Sequence, residues 1–284
     1  MKAEQLTEAD AEHGEGPVWS PSWGGPSLGE LRWVDTFAGD LLALGDDGTV
    51  TKRNVDKAIG ALRPRAGGGM IVALERRFAL AGADGELHPL GEVWDTPGVQ
   101  FNDGGCDPQG RFYCGTMAYA ATPGAGTLYR LDPDLSVHEV LTGVTISNGI
   151  QWPAEGVYYN DTPTGRVDRY AFDPGTGTFG ARETLAAIDP AHGRPDGMAL
   201  DAEGGVWVAL WGGGAVHRYA GDGTLTAQIA VPARQTTACT FGDDTTLFIT
   251  TSRDGLGDQA EPGAGAVFAV DAGVRGARPY AFAG

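Results

Sequence analysis

The sequence predicts an all-β chain: a six-bladed β-propeller with four-stranded blades around a central channel, one domain over residues 1–284. Three observations carry this. The 46 glycines are roughly twice the usual share of about 7%, and they punctuate short β-type runs. The runs come in pairs whose first members recur at roughly 40–50 residues, which is blade spacing and too long for a hairpin meander. No long amphipathic helical segment competes, because the best stretch, ARETLAAIDP (181–190), is stopped by its proline.

The first pair is LRWVDT (31–36) with DLLALGDDG (40–48), and the second is MIVAL (70–74) with RFALAGADG (77–85). RFYCGTM (111–117) with TLYRLDPD (127–134) and VYYNDTP (157–163) with RVDRYAFDP (166–174) come next. VWVALWG (206–212) with AVHRYAGDG (215–223) and LFITTSR (247–253) with AVFAVDA (266–272) complete the set. The members are rich in β-branched, aromatic and aliphatic residues, and most end in Asp, Gly or Pro, the composition of a strand leading into a turn. One such unit cannot bury both of its faces, so the units must stack radially.

A third segment precedes each pair: EGPVWSP (15–21), IGALRP (59–64), DGGCDP (103–108), NGIQWP (148–153), DGMALD (196–201) and TACTFG (237–242). Asn-Gly and Asp-Gly are ordinarily signals for a turn with positive φ. In a propeller, however, the first strand of each blade lines the channel, and equivalent positions share one height. The residues before the glycine, or before Ala238 in the last segment, then form a ring: Glu15, Ile59, Asp103, Asn148, Asp196 and Thr237. Glu15, Asn148 and Asp196 offer hard oxygen donors with two negative charges, a set suited to one divalent cation with positions left open for substrate. Asp103 is expected to cap its own turn.

Composition excludes other functions. A net charge of −17 argues against nucleic acid and anionic membrane as partners, since both require clustered Lys and Arg. No run reaches the roughly 18 apolar residues of a membrane span, and the acidic N-terminus lacks a leader's apolar stretch. A cytoplasmic protein is expected, either a monomer or a weakly associating homo-oligomer. Cys106, Cys114 and Cys239 are odd in number, form no CxxC pair and read as buried free thiols.

The order EGPVW, FNDGG, GRFYCGTM, SNGI, PDGM, TTACTFG, RDG and PYAFAG resembles the senescence-marker protein/gluconolactonase/luciferin-regenerating enzyme family along essentially the whole chain. The resemblance implies a six-bladed propeller with one divalent cation (Ca²⁺, Zn²⁺, Mn²⁺, Mg²⁺ or Fe²⁺) held by Glu15, Asn148 and Asp196. It implies that Asn102 faces substrate or a metal-bound water, and that Tyr119 lies where the family builds a lid. The chain departs from the family at Gln100, where many members carry Arg, and at Gly105, where some carry Lys. It departs again at 118–120, Ala-Tyr-Ala, where some carry Glu.

The expected activity is metal-assisted hydrolysis of a gluconolactone-like lactone to the aldonic acid. Asp196 is the candidate base, and Asn102, Gln100 and Tyr119 are the candidate substrate contacts. The rivals are an organophosphate or aryl-ester hydrolase on the same scaffold and a non-catalytic calcium-binding propeller. His192 reads as a surface-loop residue, and Trp152, Trp207 and Trp211 as packing between blades. Two motif matches are discounted: G-x-S-x-G at 25–29 sits in a proline-bearing loop, and G-x-G-x-x-G at 175–180 is a hairpin turn.

Overall fold

Strand patterning here is graded as well as alternating. MIVAL at Met70–Leu74 is buried throughout, whereas VTKRN at Val50–Asn54 is exposed beyond its first residue. The computed structural model describes residues 1–21, 23 and 30–284, and the gradient is that of blades with an apolar inner side and a polar outer strand. Six four-stranded antiparallel sheets result. The inner strands are Gly14–Trp19, Ile59–Pro64, Val99–Cys106, Ser147–Gln151, Arg194–Leu200 and Thr236–Phe241. They pack against one another in chain order, and the last meets the first.

Closure uses the N-terminus. Glu4–Gln5 supplies the outer strand of the sixth sheet, with Glu4 opposite Ala269 and Gln5 opposite Phe268, so the last blade joins both ends of the chain. The blades bury their faces against each other. Phe78, Phe101, Phe112 and Leu131 pack between the second and third blades, and Trp152, Tyr113, Ile150 and Tyr159 between the third and fourth. Trp207 packs with Phe241 and Leu247 between the fifth and sixth. Trp152 and Trp207 are thus packing residues, whereas Trp211 is only half-buried. All three cysteines are free and buried.

Residues 181–187 belong to the strand Thr178–Ala187 and form no helix. Residues 173–178 form the hairpin turn between the last two strands of the fourth blade, with Gly177 at φ +68°. Residues 25–29 lie outside the described residues. The closing motif PYAFAG also has a place. Ala277 N–H donates to Leu200 O at 2.9 Å, Phe282 N–H to Pro64 O at 2.9 Å and Ala283 N–H to Gly110 O at 2.9 Å. The C-terminal segment thereby crosses the lower end of the channel, leaving a water-sized cavity of about 30 Å³ beneath the ring.

The inner strands approach too closely for side chains at some positions. A Cβ on Gly197 would lie 2.3 Å from Ala238 Cβ and 2.8 Å from Ala238 Cα, contacts that neither strand can relieve without moving the blade. Gly197→Ala should therefore cost about 1–3 kcal/mol, the usual penalty for overpacking, as measured by urea unfolding. A midpoint equal to the parent's would show that the inner strands are not held at this spacing.

Candidate metal centre in the channel

Every inner strand carries a register shift at the ring position. The shifts fall between Glu15 and Val18, Ile59 and Ala61, Phe101 and Gly104, Asn148 and Ile150, Pro195 and Met198, and Thr236 and Ala238. A bulge inserts an extra residue, bends its strand and re-aims a side chain. Asn148-Gly149 and Asp196-Gly197 are therefore bulges within strands, and the bulges carry the ring residues. Of the ring glycines, Gly16 alone has positive φ, at +52°.

Glu15, Asp103, Asn148 and Asp196 are all buried. Glu15 Oε2 accepts from Gly16 N–H at 2.9 Å, and Asp103 Oδ1 accepts from Gly104 N–H at 2.7 Å, the expected local cap. Arg63 Nη2 lies 3.7 Å from Asp103 Oδ1. Asn148 Nδ2 donates to Thr162 Oγ1 at 3.1 Å, which turns its carbonyl end away from that bond. Asn160 Nδ2 anchors the backbone carbonyl of Asp196 at 2.7 Å.

The electrostatics arise from this burial. Asp196 is pushed well above the ordinary carboxylate range by desolvation first, and then by the charges of Glu15 and Asp103. Glu15 is raised by desolvation first and then by the charge of Asp103, to about 8. The three carboxylates face one guanidinium, Arg63, so two negative charges are uncompensated. Asn148 Oδ1 and Asp196 Oδ1 are buried without a hydrogen-bond partner, a state that normally costs about 1–3 kcal/mol for each group. Unpaired oxygens, excess negative charge and hard-donor chemistry together fit a divalent cation. Among the described residues no group of three or more His, Cys, Asp or Glu is arranged to hold a metal; the set here is two carboxylates and a carboxamide.

The other candidates lie at the upper end. Asn102 is buried, and its Nδ2 donates to Ser147 O at 2.9 Å. Gln100 is fully buried, and neither amide atom has a partner. Tyr119 is exposed; its hydroxyl donates to Glu75 Oε1 at 2.7 Å, and Lys57 Nζ sits 5.3 Å from its ring centroid. His192 is exposed, as expected. Two residues escaped the sequence reading. Arg63 is the penultimate residue of the inner strand Ile59–Pro64, a position that gave no signal. His13 stands two residues before Glu15 and so on the same face of the strand, a signal that was present in the sequence. Burial pushes the His13 imidazole down to about 4.

The pattern of the SMP-30/Gluconolactonase/LRE-like region matches residues 13–253. The chain is 34% identical to regucalcin from Xenopus laevis over 302 residues, covering 100% of this chain and 99% of that protein. It is 33% identical to a pentonolactonase from Haloferax volcanii, covering 97% and 96%. The crystal structure of regucalcin, a calcium-binding protein from Agrobacterium tumefaciens, has a TM-score of 0.87 at 28% identity, covering 100% of this chain and 97% of that one.

A carboxylate with a raised folded-state pKa makes the folded protein bind more protons than the unfolded chain between the ordinary and the raised value, so stability falls as pH rises through that window. For metal-free protein the window opens at the ordinary glutamate value of 4.5 and closes, for Glu15, at about 8. A bound cation offsets both the desolvation and the repulsion that cause the loss. The gain in Tm on adding a divalent cation should therefore grow steadily from pH 5 to pH 8 in differential scanning calorimetry. A gain that is absent, or that shrinks with pH, would contradict the assignment.

Proposed function

The chain belongs to the SMP-30/gluconolactonase/LRE-like family, and on that premise we propose that it is a divalent-cation-dependent lactonase, opening a sugar-acid lactone to the aldonic acid. The observation that carries the proposal is the buried, unpartnered Oδ1 of Asn148 and of Asp196 in a ring with Glu15. The lactonase name of the Haloferax relative supports the reaction class.

Glu15, Asn148 and Asp196 would hold the cation, and their oxygen donors suit Ca²⁺, Mg²⁺, Mn²⁺, Zn²⁺ or Fe²⁺. When bound, the cation supplies Lewis-acid stabilisation of charge developing on the lactone carbonyl oxygen. Asp196 is the base: as the water oxygen bonds to the carbonyl carbon, its proton passes to the Asp196 carboxylate, through the oxygen that does not face the cation. As the ring C–O bond breaks, Asp196 returns that proton to the departing ring oxygen. Burial raises the Asp196 carboxyl above the ordinary carboxylate range, which makes it a better proton acceptor than an exposed aspartate. Asn102, with Nδ2 committed to Ser147 O, has Oδ1 left to accept from a substrate hydroxyl. Gln100 is a further hydroxyl contact under this proposal, one that requires its enclosed, unpaired amide to open toward the channel. Tyr119, at the rim, is the lid contact.

The C-terminal segment closes the lower end, so substrate enters from the upper end, where these residues cluster. A second reading, calcium binding without turnover, is favoured by the calcium-binding description of the Agrobacterium relative. Under that reading the purified protein binds Ca²⁺ and leaves every lactone at its spontaneous rate.

Asp196→Asn keeps an oxygen ligand but loses the base, so kcat on glucono- or pentonolactones should fall at least about 10²-fold at saturating cation. Asn148→Ala removes a ligand and no base, and excess cation should rescue much of its activity. Full rescue of Asp196→Asn by cation would show that Asp196 is a ligand only.

A further inference from the structure

The imidazole of His13 is held on three sides and left open on one. Phe37, from the turn between the second and third strands of the first blade, stacks on it with ring centroids 4.6 Å apart. Trp211, the last residue of Val206–Trp211, leans on it from the fifth blade at 5.6 Å. Nδ1 lies 2.8 Å from Ser252 Oγ. Ser252 has a single hydroxyl hydrogen, which it donates to Glu12 O at 3.2 Å, and it also accepts from Asp254 N–H at 3.0 Å. On this network we assign the hydrogen of the Nδ1 contact to the imidazole, which leaves the lone pair on Nε2.

Nε2 is 3.9 Å from Glu15 Oε1, beyond hydrogen-bond distance, and among the described residues it has no hydrogen-bond partner. A histidine serving only the core would have both nitrogens satisfied. Phe37 and Trp211 are themselves only half-buried, so this arc borders solvent at the upper end of the channel, over the sixth blade. The ring there offers only Thr237 and Ala238, and the candidate polar contacts Asn102, Gln100 and Tyr119 belong to the third blade.

We propose that His13, clamped by Phe37, Trp211 and Ser252, is a specificity-determining residue whose Nε2 accepts a hydrogen bond from a hydroxyl of a polyhydroxylated substrate. The flanking rings cover the C–H surface of the same molecule. This deepens the lactonase reading and rests on it for the nature of the substrate. A sugar lactone is apolar along its C–H faces and donates hydrogen bonds from its hydroxyls, and an aromatic-walled acceptor complements both properties. The acceptor is pre-organised, since the stacked rings and Ser252 fix the imidazole before substrate arrives.

The test pairs two variants with two readouts. His13→Asn retains a short amide that can reach Ser252 and removes the acceptor at Nε2; His13→Gln extends an amide toward the Nε2 position. The first readout is the ratio of kcat/KM for glucono-δ-lactone to that for δ-valerolactone, which has the same ring and no hydroxyls. The second is binding of xylitol, monitored by tryptophan fluorescence, which requires no turnover. One lost hydrogen bond corresponds to about a tenfold change. His13→Asn should reduce the ratio about tenfold, chiefly through KM, and weaken xylitol to a similar degree, and His13→Gln should restore most of both.

An unchanged ratio with unchanged xylitol affinity overturns the proposal, as does absence of xylitol binding by the parent protein. An equal loss on both lactones accompanied by weaker cation binding also overturns it, making His13 a metal ligand. If the parent hydrolyses no lactone, the lactonase reading fails and the xylitol titration still decides the role of His13. If His13→Asn does not fold, Ser252→Ala, which frees the ring to rotate, must give the same loss of discrimination or the proposal is wrong.

Discussion

Two uncompensated carboxylates on the axis of the channel are the interaction on which the rest of this molecule depends. Glu15, Asp103 and Asp196 repel one another in a desolvated space, and Arg63 offsets only one of them. An isolated hairpin would turn these side chains out into water. Here they cannot turn, because each stands at a bulge in a strand packed on both sides by other inner strands. Closure of the sixth blade by Glu4–Gln5 and of the lower end by the C-terminal segment keeps that ring from opening. Folding free energy from the apolar faces between blades is thus spent on holding like charges together, as in sites where strain and function coincide.

The acidic excess of the chain divides accordingly into two populations. Asp47, Asp134, Asp173 and Asp222 sit in exposed hairpin turns and accept hydrogen bonds from backbone N–H groups two residues on. Hydroxyl donors at Thr49, Ser136 and Thr176, and at Asp222 the Thr224 N–H first, hold these carboxyls below the ordinary range. The ring acids are shifted in the opposite direction by burial. Both populations are written Asp-Gly in places: Asp222-Gly223 is a turn, and Asp196-Gly197 is a bulge. The residues after the glycine separate them, since Met198-Ala199-Leu200 continues into a buried strand and Thr224 does not.

That distinction explains how much was legible in the sequence. Blade number, the paired strands and the six inner segments are dictated locally, by spacing and apolar runs. The ring emerged from aligning the segments, because the repeats carry its geometry. The bulges were not legible: the glycine that signals a turn in a short peptide is here required by the backbone of a neighbouring blade, as at Gly197 against Ala238, and no local rule encodes that approach. The pairing of the N-terminus with Val267–Asp271 was hidden for the same reason, being a contact across the whole chain with only two residues in the strand. His13 was within reach through its two-residue offset from Glu15, but its partners Phe37, Trp211 and Ser252 come from three different blades.

The central claim, that the buried excess charge is the seat of one divalent cation, is tested most directly by anomalous diffraction from crystals grown with Mn²⁺. A single strong peak on the channel axis, within about 2.0–2.6 Å of oxygens from Glu15, Asn148 and Asp196, is the predicted result. A channel without anomalous signal at saturating Mn²⁺, or a peak coordinated by other residues, would contradict it.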